Sequence, residues 1–445
     1  MDLDRQVELA RKALEASGAK QWEIAAVHSD RVSIGVRGQE VDAFQQSTSS
    51  GLALRVVSDE RLGFAYVIGG DPQGIERAVA EAMASAKASD PEPGISLAGP
   101  VADPPVVEVF DPELAADPVE AKVERAKQVA AAAMAADPRV VHVQPAEFAS
   151  AVSELRLLTS LGLDFRHRGT TASAGALAMA SQDGEQEMGW DSHSARFLSE
   201  IDPQALGREA GKRAAAFLGA RPVGDGRYDV VLDNSVAAQF LGLLAASLLG
   251  DTLLKGRSLL AGKERSQIVS PQMSLVDDGT LPRGLGSASL DDEGVAMSRK
   301  VLVEAGVLRG FVFDRLWGAR DGRGSTGNGM RGSLKGPPGV DFSNLFLEPG
   351  QASPQELESR LERGLVITDI MGGHTADPVS GEFSFGAAGF LVEKGARVRP
   401  VKSIAIAGQV LKLFQAVAEV GSDLRFFGRK GAPSLLIERM SVSGP

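Results

Sequence analysis

The sequence predicts an α+β protein, with two helix and β-meander modules in the N-terminal half followed by a β-rich C-terminal domain that holds a buried apolar helix. Three observations predict it. The order helix, alternating apolar runs, helix occurs twice before residue 222. Proline clusters punctuate the chain twice, and beyond residue 267 short apolar runs are separated by Gly-rich turns. At 445 residues the chain has room for roughly two to four domains, and the boundaries fall at 1–100, 101–222 and 223–445.

Val7, Leu9, Ala10, Ala13 and Leu14 sit near helical spacing over residues 4–17, with Asp2 or Asp4 as N-cap and Gly18 just past the end. The runs 24–27, 32–36, 52–56 and 64–67, divided by Gly, Asp and Ser, read as an antiparallel meander. Asp71-Pro72 opens a second helix over 72–88, where the missing proline N–H costs nothing. Pro91, Pro93, Pro100, Pro104, Pro105, Pro112 and Pro118 exclude a continuous helix from 89–118, which reads as a linker.

The second module repeats the order: a helix from Asp117-Pro118 to about 136, strands over 140–188, and a helix from Asp202-Pro203 to Gly219. The halves share a pattern of elements without residue identity, so either duplication or ordinary α+β alternation accounts for it. Residues 221–226 form the second boundary. Residues 228–232 then read as a strand leading into a helix over 235–249 that is hydrophobic nearly all round and therefore buried. Beyond Gln267 the expectation is strands, with helices near 354–363 and 406–420.

Lys+Arg 47 against Asp+Glu 58 gives a net charge of −11, which argues against a phosphate backbone or an anionic membrane surface as the main partner. With Tyr 2 and Trp 3, there are also few aromatic platforms for stacking bases. The absence of cysteine removes disulfides, iron–sulfur clusters, thiolate zinc sites and cysteine nucleophiles together. The N-terminal residues lack the charged and apolar regions of a secretory signal. The apolar run 236–249, interrupted by Gln239 and Ser247, falls short of the ~20 residues that cross a bilayer. These features predict a soluble, cytoplasmic chain.

Gly322-Arg323-Gly324-Ser325-Thr326-Gly327 matches GxGxxG literally, but residues 316–321 make a poor parallel strand and 328–332 cannot start a good helix, so a dinucleotide site is not predicted. The expectation is a loop whose backbone amides lie open to a peptide or another chain, with Gly324, Ser325, Thr326, Asn328 and Arg331 as its candidate residues. None of the five histidines begins HExxH, and no serine sits in GxSxG. The densest polar constellation, residues 368–386, sets His374 among Asp369, Asp377 and Glu382, which suits either a proton carrier or a set of turns at Asp377-Pro378 and Ser380-Gly381.

Residues 373–384 (Gly-His-Thr-Ala-Asp-Pro-Val-Ser-Gly-Glu-Phe-Ser), followed by 386–395, resemble the C-terminal signature of the TldD/PmbA family, in its PmbA or TldE branch. Gly250-Asp251, Gly256-Arg257-Ser258, Ser325-Thr326-Gly327-Asn328, Arg331-Gly332 and Gly431-Ala432-Pro433-Ser434 extend the resemblance over the chain. It implies peptide hydrolysis by a metal held on HExxxH and a later cysteine, with the glutamate as base. Aligned on Gly250-Asp251, those His, Glu and His positions hold Leu241, Gly242 and Ala246, so no catalytic or metal residue carries over.

The resemblance therefore implies a metal-free subunit without cofactor of its own. Its partner would be a TldD-type metallopeptidase subunit carrying a zinc-like divalent metal, and the substrates would be unfolded peptides or leader segments. In this reading the chain closes the substrate chamber and holds an extended peptide by strand addition, with His374, Thr375, Asp377, Ser380 and the 324–331 loop as candidate wall. The alternative is a homodimeric peptide-binding or regulatory protein of the gyrase-modulator type. A third reading, a metal-free enzyme using His374 with Asp377, predicts activity that survives a chelator and disappears in His374→Ala.

Overall fold

The computed structural model describes residues 2–444, and of His374 the backbone alone. The first half contains α1 (Leu3–Ala16), β1 (Gln21–Arg37), β2 (Glu40–Ser58), β3 (Arg61–Ile68) and α2 (Pro72–Ala88). It continues with α3 (Pro112–Ala116), α4 (Val119–Ala135), β4 (Val140–Val143), β5 (Ala146–Thr159), β6 (Asp164–Gln182), β7 (Glu185–Ala195) and α5 (Pro203–Ala216). Asp2, Asp71 and Asp202 cap their helices as the sequence suggests, each carboxylate accepting a backbone N–H of the first turn.

The two meanders form one sheet, ordered β3-β2-β1-β5-β6-β4 with β7 on β6. The seam is β1 against β5, antiparallel from Glu23↔Thr159 to Val36↔Ala146. Runs 24–27 and 32–36, expected as separate strands, are both part of β1. The polar stretch between them stays extended because Ser29 Oγ meets Ser153 Oγ at 3.0 Å and Asp30 accepts from Thr48 Oγ1 at 2.6 Å. Helices α1 and α2 bury Val7, Leu14, Ile75 and Val79 against one end of the sheet, and α4 and α5 cover the other. Close approach of α5 to α4 depends on Gly207 and Gly211, where a Cβ would stand 2.2 Å from Val129 O and 2.4 Å from Ala133 O. The proline-rich linker adheres to the protein, burying Leu97, Ala98 and Val109.

The C-terminal half begins with β8 (Gly226–Leu232), α6 (Asn234–Ala245), a 3₁₀ turn (Ala246–Leu248) and α7 (Gly250–Leu254). It continues through β9 (Leu275–Asp278), β10 (Arg299–Glu304), β11 (Val307–Leu308), α8 (Arg315–Asp321), β12 (Gly329–Met330), β13 (Gly339–Val340) and β14 (Leu345–Leu347). The remaining elements are α9 (Pro354–Ser359), β15 (Arg363–Met371), β16 (Glu382–Glu393), β17 (Ala396–Gln409), α10 (Val410–Gln415), β18 (Val417–Val420), β19 (Arg425–Phe427), β20 (Lys430–Ala432) and β21 (Leu435–Ser443). One sheet runs β17-β16-β15-β8-β21-β18, and the additional β17–β21 pairing closes its first five strands into a ring. A second sheet runs β11-β10-β9-β14-β20-β19. Val236, Phe240, Leu241 and Leu244 of α6 are fully buried in the core that the two sheets share.

Three expected helices are shorter than predicted, the one near 354–363 ending at Ser359 as α9. The apolar run 235–249 stops being α-helical at Ala245, and Leu249 is extended, with φ −79° and ψ 131°. Gly250 donates to Val312 O at 2.8 Å, and a Cβ there would stand 2.1 Å from the Phe313 ring, so the backbone turns onto its neighbour. The helix expected over 406–420 is only α10, because Ala405, Ile406 and Ala407 are strand residues paired to β21, and Gln409 caps the turn that follows.

A buried ion cluster joins the N-terminal sheet to the C-terminal domain. Arg55 of β2, 2% exposed, donates from Nε to Glu23 Oε1 at 2.8 Å, from Nη2 to Glu23 Oε2, and from Nη1 to Glu293 Oε1 at 2.9 Å. Arg331 Nη2 adds a bond to Glu23 at 3.1 Å, so two guanidiniums face two carboxylates in the interior. Arg55→Ala would leave both carboxylates buried with one cation between them, a loss of about 3–5 kcal/mol, measurable by urea unfolding; a loss under about 1 kcal/mol would contradict the role given to the cluster.

Asp314, which caps α8 by accepting the Trp317 N–H at 2.8 Å, has its carboxyl pushed up to about 6 by burial, with Glu293 and Asp251 adding to the rise. Its ordinary value is 3.8, so its contribution to stability is present below about pH 4 and is lost as pH rises through 6. Asp314→Asn keeps the cap without the ionisation. The expected gain in unfolding free energy is up to about 3 kcal/mol at pH 8 and near zero at pH 4; an equal effect at both pH values would contradict it.

Candidate functional site

The face of α6 that the core does not use opens on a cavity of about 590 Å³. Ser235, Ala238, Gln239, Gly242 and Leu243 of α6 form one wall, Asp369, Ile370 and Gly373 a second, and Phe385, Phe427, Lys430 and Trp190 complete it. Trp190 comes from β7, so the cavity lies where the first-half sheet meets the C-terminal domain. A hydrogen bond from Arg425 to Asp191 at 2.8 Å fixes that junction beside Trp190.

Gly242 is the position at which the resemblance implies a catalytic glutamate. A Cβ there would stand 3.2 Å from Lys430 Nζ, so the space next to α6 is occupied by an ammonium. Leu241 is wholly buried in the core and Ala246 lies in the 3₁₀ turn. The chain has no cysteine, and among the described residues no group of three or more His, Asp and Glu is placed to hold a metal ion. The residues present do not fit the metal centre that active members of the resembled family carry.

Strand β15 outruns its neighbour at this wall. It pairs with β16 as far as Met371↔Gly386, whereas its pairing with β8 ends at Ile367↔Leu232. Beyond Ile367, therefore, one edge of β15 has no strand beside it among the described residues. Asp369 on this stretch is half-buried, and burial raises its carboxyl above the ordinary value, with the Ile370 N–H and then the charge of Arg213 opposing the rise.

The structure separates the two groups of sequence-predicted candidates. Gly373 lines the cavity, and the backbone of His374 continues from it in a 3₁₀ turn, Gly373–Thr375; the His374 side chain lies outside the described residues. Thr375 Oγ1 donates to Gly372 O at 2.8 Å, Asp377 Oδ1 accepts the Val379 N–H at 2.8 Å, and Ser380 Oγ accepts the Glu382 N–H at 3.2 Å. The Val379 N–H and then the Ser380 hydroxyl hold the exposed Asp377 carboxyl below its ordinary value. These side chains close the loop on itself next to the cavity rather than lining it.

The 324–331 loop is spent inside the fold. It follows helix α8, which ends at Gly322 in the left-handed region, where a dinucleotide motif would follow a strand. Its amides, expected to lie open, have internal acceptors: Gly324 N–H bonds Gly318 O, Thr326 N–H bonds Phe313 O, Gly327 N–H bonds Ser325 Oγ, and those of Gly329 and Arg331 bond Asp291 and Asp292. Thr326 Oγ1 donates to Asn328 Oδ1 at 2.8 Å, and the buried Asn328 donates to Asp277 Oδ2 at 2.8 Å. Sequence reasoning passed over Trp190, Gln239, Phe427 and Lys430, which come from separate segments and carry no common motif.

Models of the three PmbA/TldA metallopeptidase domains match in order: domain 1 over residues 22–86, the central domain over 112–218 and the C-terminal domain over 225–444. The chain is 26% identical over 461 residues to Metalloprotease PmbA of Escherichia coli O157:H7, covering 100% of this chain and 99% of that protein. It is 26% identical over 427 residues to a Metalloprotease TldD homolog of Haemophilus influenzae, covering 88% and 86%. Among solved structures, TldE from Thermococcus kodakarensis superposes with a TM-score of 0.90 at 25% identity, covering 99% of each chain. A Thermotoga maritima protein described as a proposed modulator of a DNA gyrase does so with 0.90 at 27% identity, covering 98% of this chain and 100% of that one. With all three domain models matched in order and relatives aligned nearly end to end, the chain belongs to the TldD/PmbA metallopeptidase family.

Proposed function

We propose that this chain binds extended peptides in the cavity over α6 and does not cleave them by itself. The observation that carries the reading is the free edge of β15 on the cavity wall, beside a helix position where the expected base is a glycine with Lys430 against it. A peptide strand laid along that edge gains main-chain hydrogen bonds whatever its sequence, while Trp190, Phe385 and Phe427 offer apolar contact to its side chains. Without metal ligands or a base at 241, 242 and 246, the chain supplies binding and exclusion of water but no activated water.

Two settings use such a chain. In the first, it acts as a homodimeric peptide-binding or regulatory protein, a setting favoured by the description of the Thermotoga neighbour as a proposed gyrase modulator. In the second, it is the metal-free PmbA/TldE-type half of a cytoplasmic peptidase whose TldD-type partner brings a zinc-like divalent metal and the base. The names of the PmbA, TldD and TldE relatives favour this setting.

The test is metal analysis of the purified chain with peptide binding and cleavage measured alone and after addition of a TldD-type subunit. Binding with neither stoichiometric metal nor cleavage by the chain alone is the expected result. Chelator-sensitive cleavage that arises only in the mixture selects the heteromeric setting, and a mixture as inactive as its parts selects the homodimeric one. Stoichiometric metal, or cleavage by the chain alone, would overturn the reading.

A further inference from the structure

Lys430 and Asp369 both line the cavity, and among the described residues neither has an ion-pair partner. Neighbouring charges do: Arg425 pairs with Asp191 at 2.8 Å, and Lys255 with Asp251 at 2.8 Å. One cation and one anion thus line the same open cavity. Asp369 is half-buried, where the Ile370 N–H and the charge of Arg213 favour its carboxylate and an arriving ammonium would add to them. Lys430, an exposed residue, brings its ammonium beside α6 at Gly242, where a Cβ would stand 3.2 Å from Nζ and shift it by only a few tenths of an ångström. The stretch of β15 beyond its pairing with β8 and the rings of Trp190, Phe385 and Phe427 line the same cavity.

We propose that the cavity selects short peptides whose two ends are free, Lys430 receiving the terminal carboxylate and Asp369 the terminal ammonium. This proposal rests on the peptide-binding reading and narrows its ligand class from extended peptides in general to small zwitterionic ones, the class of molecule that peptide hydrolysis releases. Both end contacts are charge-assisted hydrogen bonds. The volume of about 590 Å³ lies within the range of small-ligand pockets. Recognition of both ends sets a length limit, since a long chain cannot place both termini in one cavity.

The experiment is a fluorescence titration of the full chain that follows Trp190, with Trp190→Phe to identify the signal among the three tryptophans. The ligands are an alanine–leucine–alanine tripeptide, its N-acetyl form, its C-terminal amide, and a long unstructured peptide capped at both ends. Each cap on the tripeptide is expected to weaken binding about tenfold or more. In Asp369→Asn the acetyl cap should cease to matter while amidation still does, and in Lys430→Gln the reverse should hold. Caps without effect, or effects that persist unchanged in both variants, would overturn end recognition. If the long capped peptide binds as well as the free tripeptide, end recognition fails and the peptide-binding reading stands. If neither binds, both fail.

Discussion

The ion cluster of Arg55 with Glu23 and Glu293 is the contact on which the placement of the other parts depends. It ties a strand of the first-half sheet to the segment preceding β10, and Glu293 in turn accepts the backbone N–H of Arg315 at the start of α8 at 2.8 Å. Other arginines extend the same seam by donating to carbonyl oxygens: Arg196 to Gly284 and Leu285, and Arg315 to Ser96 and Leu97. A junction made of directional bonds in a buried setting is fixed in register, because each donor that slips leaves a polar group unsatisfied. That register brings Trp190 of β7 to the rim of a cavity whose floor belongs to the C-terminal domain.

At the cavity, the chemistry follows from a subtraction. The resemblance implies a metal and base carried on a helix, and at those positions this chain has Leu241, buried in the core, Gly242 and Ala246. Gly242 leaves a gap that Lys430 enters from β20, so a position that would hold negative charge in a catalytic member has positive charge next to it. The proposed outcome is a binding wall: strand edge, aromatic surface and two charges that have no ion-pair partner among the described residues, without a means of activating water. In the proposed heteromeric setting, hydrolysis would fall to the partner.

The local elements were legible where a single residue decides them. Asp71-Pro72 and Asp202-Pro203 marked helix starts because the carboxylate caps and the proline fits the first turn. At Asp117-Pro118 the helix also follows, but Pro118 is its N-cap without a side-chain bond and Asp117 pairs with Lys122 and Arg125 instead. Strand lengths were not legible: residues 28–31 look like a turn until the cross-strand bonds of Ser29 and Asp30 are seen, and residues 405–407 look helical until β21 is beside them. The same division holds at the site. The signature around Gly373 lies beside the cavity, but Asn328 and Arg331, equally polar and equally rich in glycine neighbours, face inward to Asp277 and Glu23. Composition does not distinguish an open loop from one whose amides are already bonded. Lys430 was invisible because only the fold brings it beside Gly242, nearly two hundred residues earlier in the chain.

Hydrogen exchange across the free edge of β15 tests most directly whether peptide lies where it is proposed to lie. With an extended peptide present in excess, the amides of residues 368–371 that do not already bond β16 should become protected, and those of residues 40–50 of β2, which lie beyond its pairing with β3, should not. Unchanged exchange at 368–371 under saturating peptide, or protection confined to β2, would contradict binding in the cavity over α6.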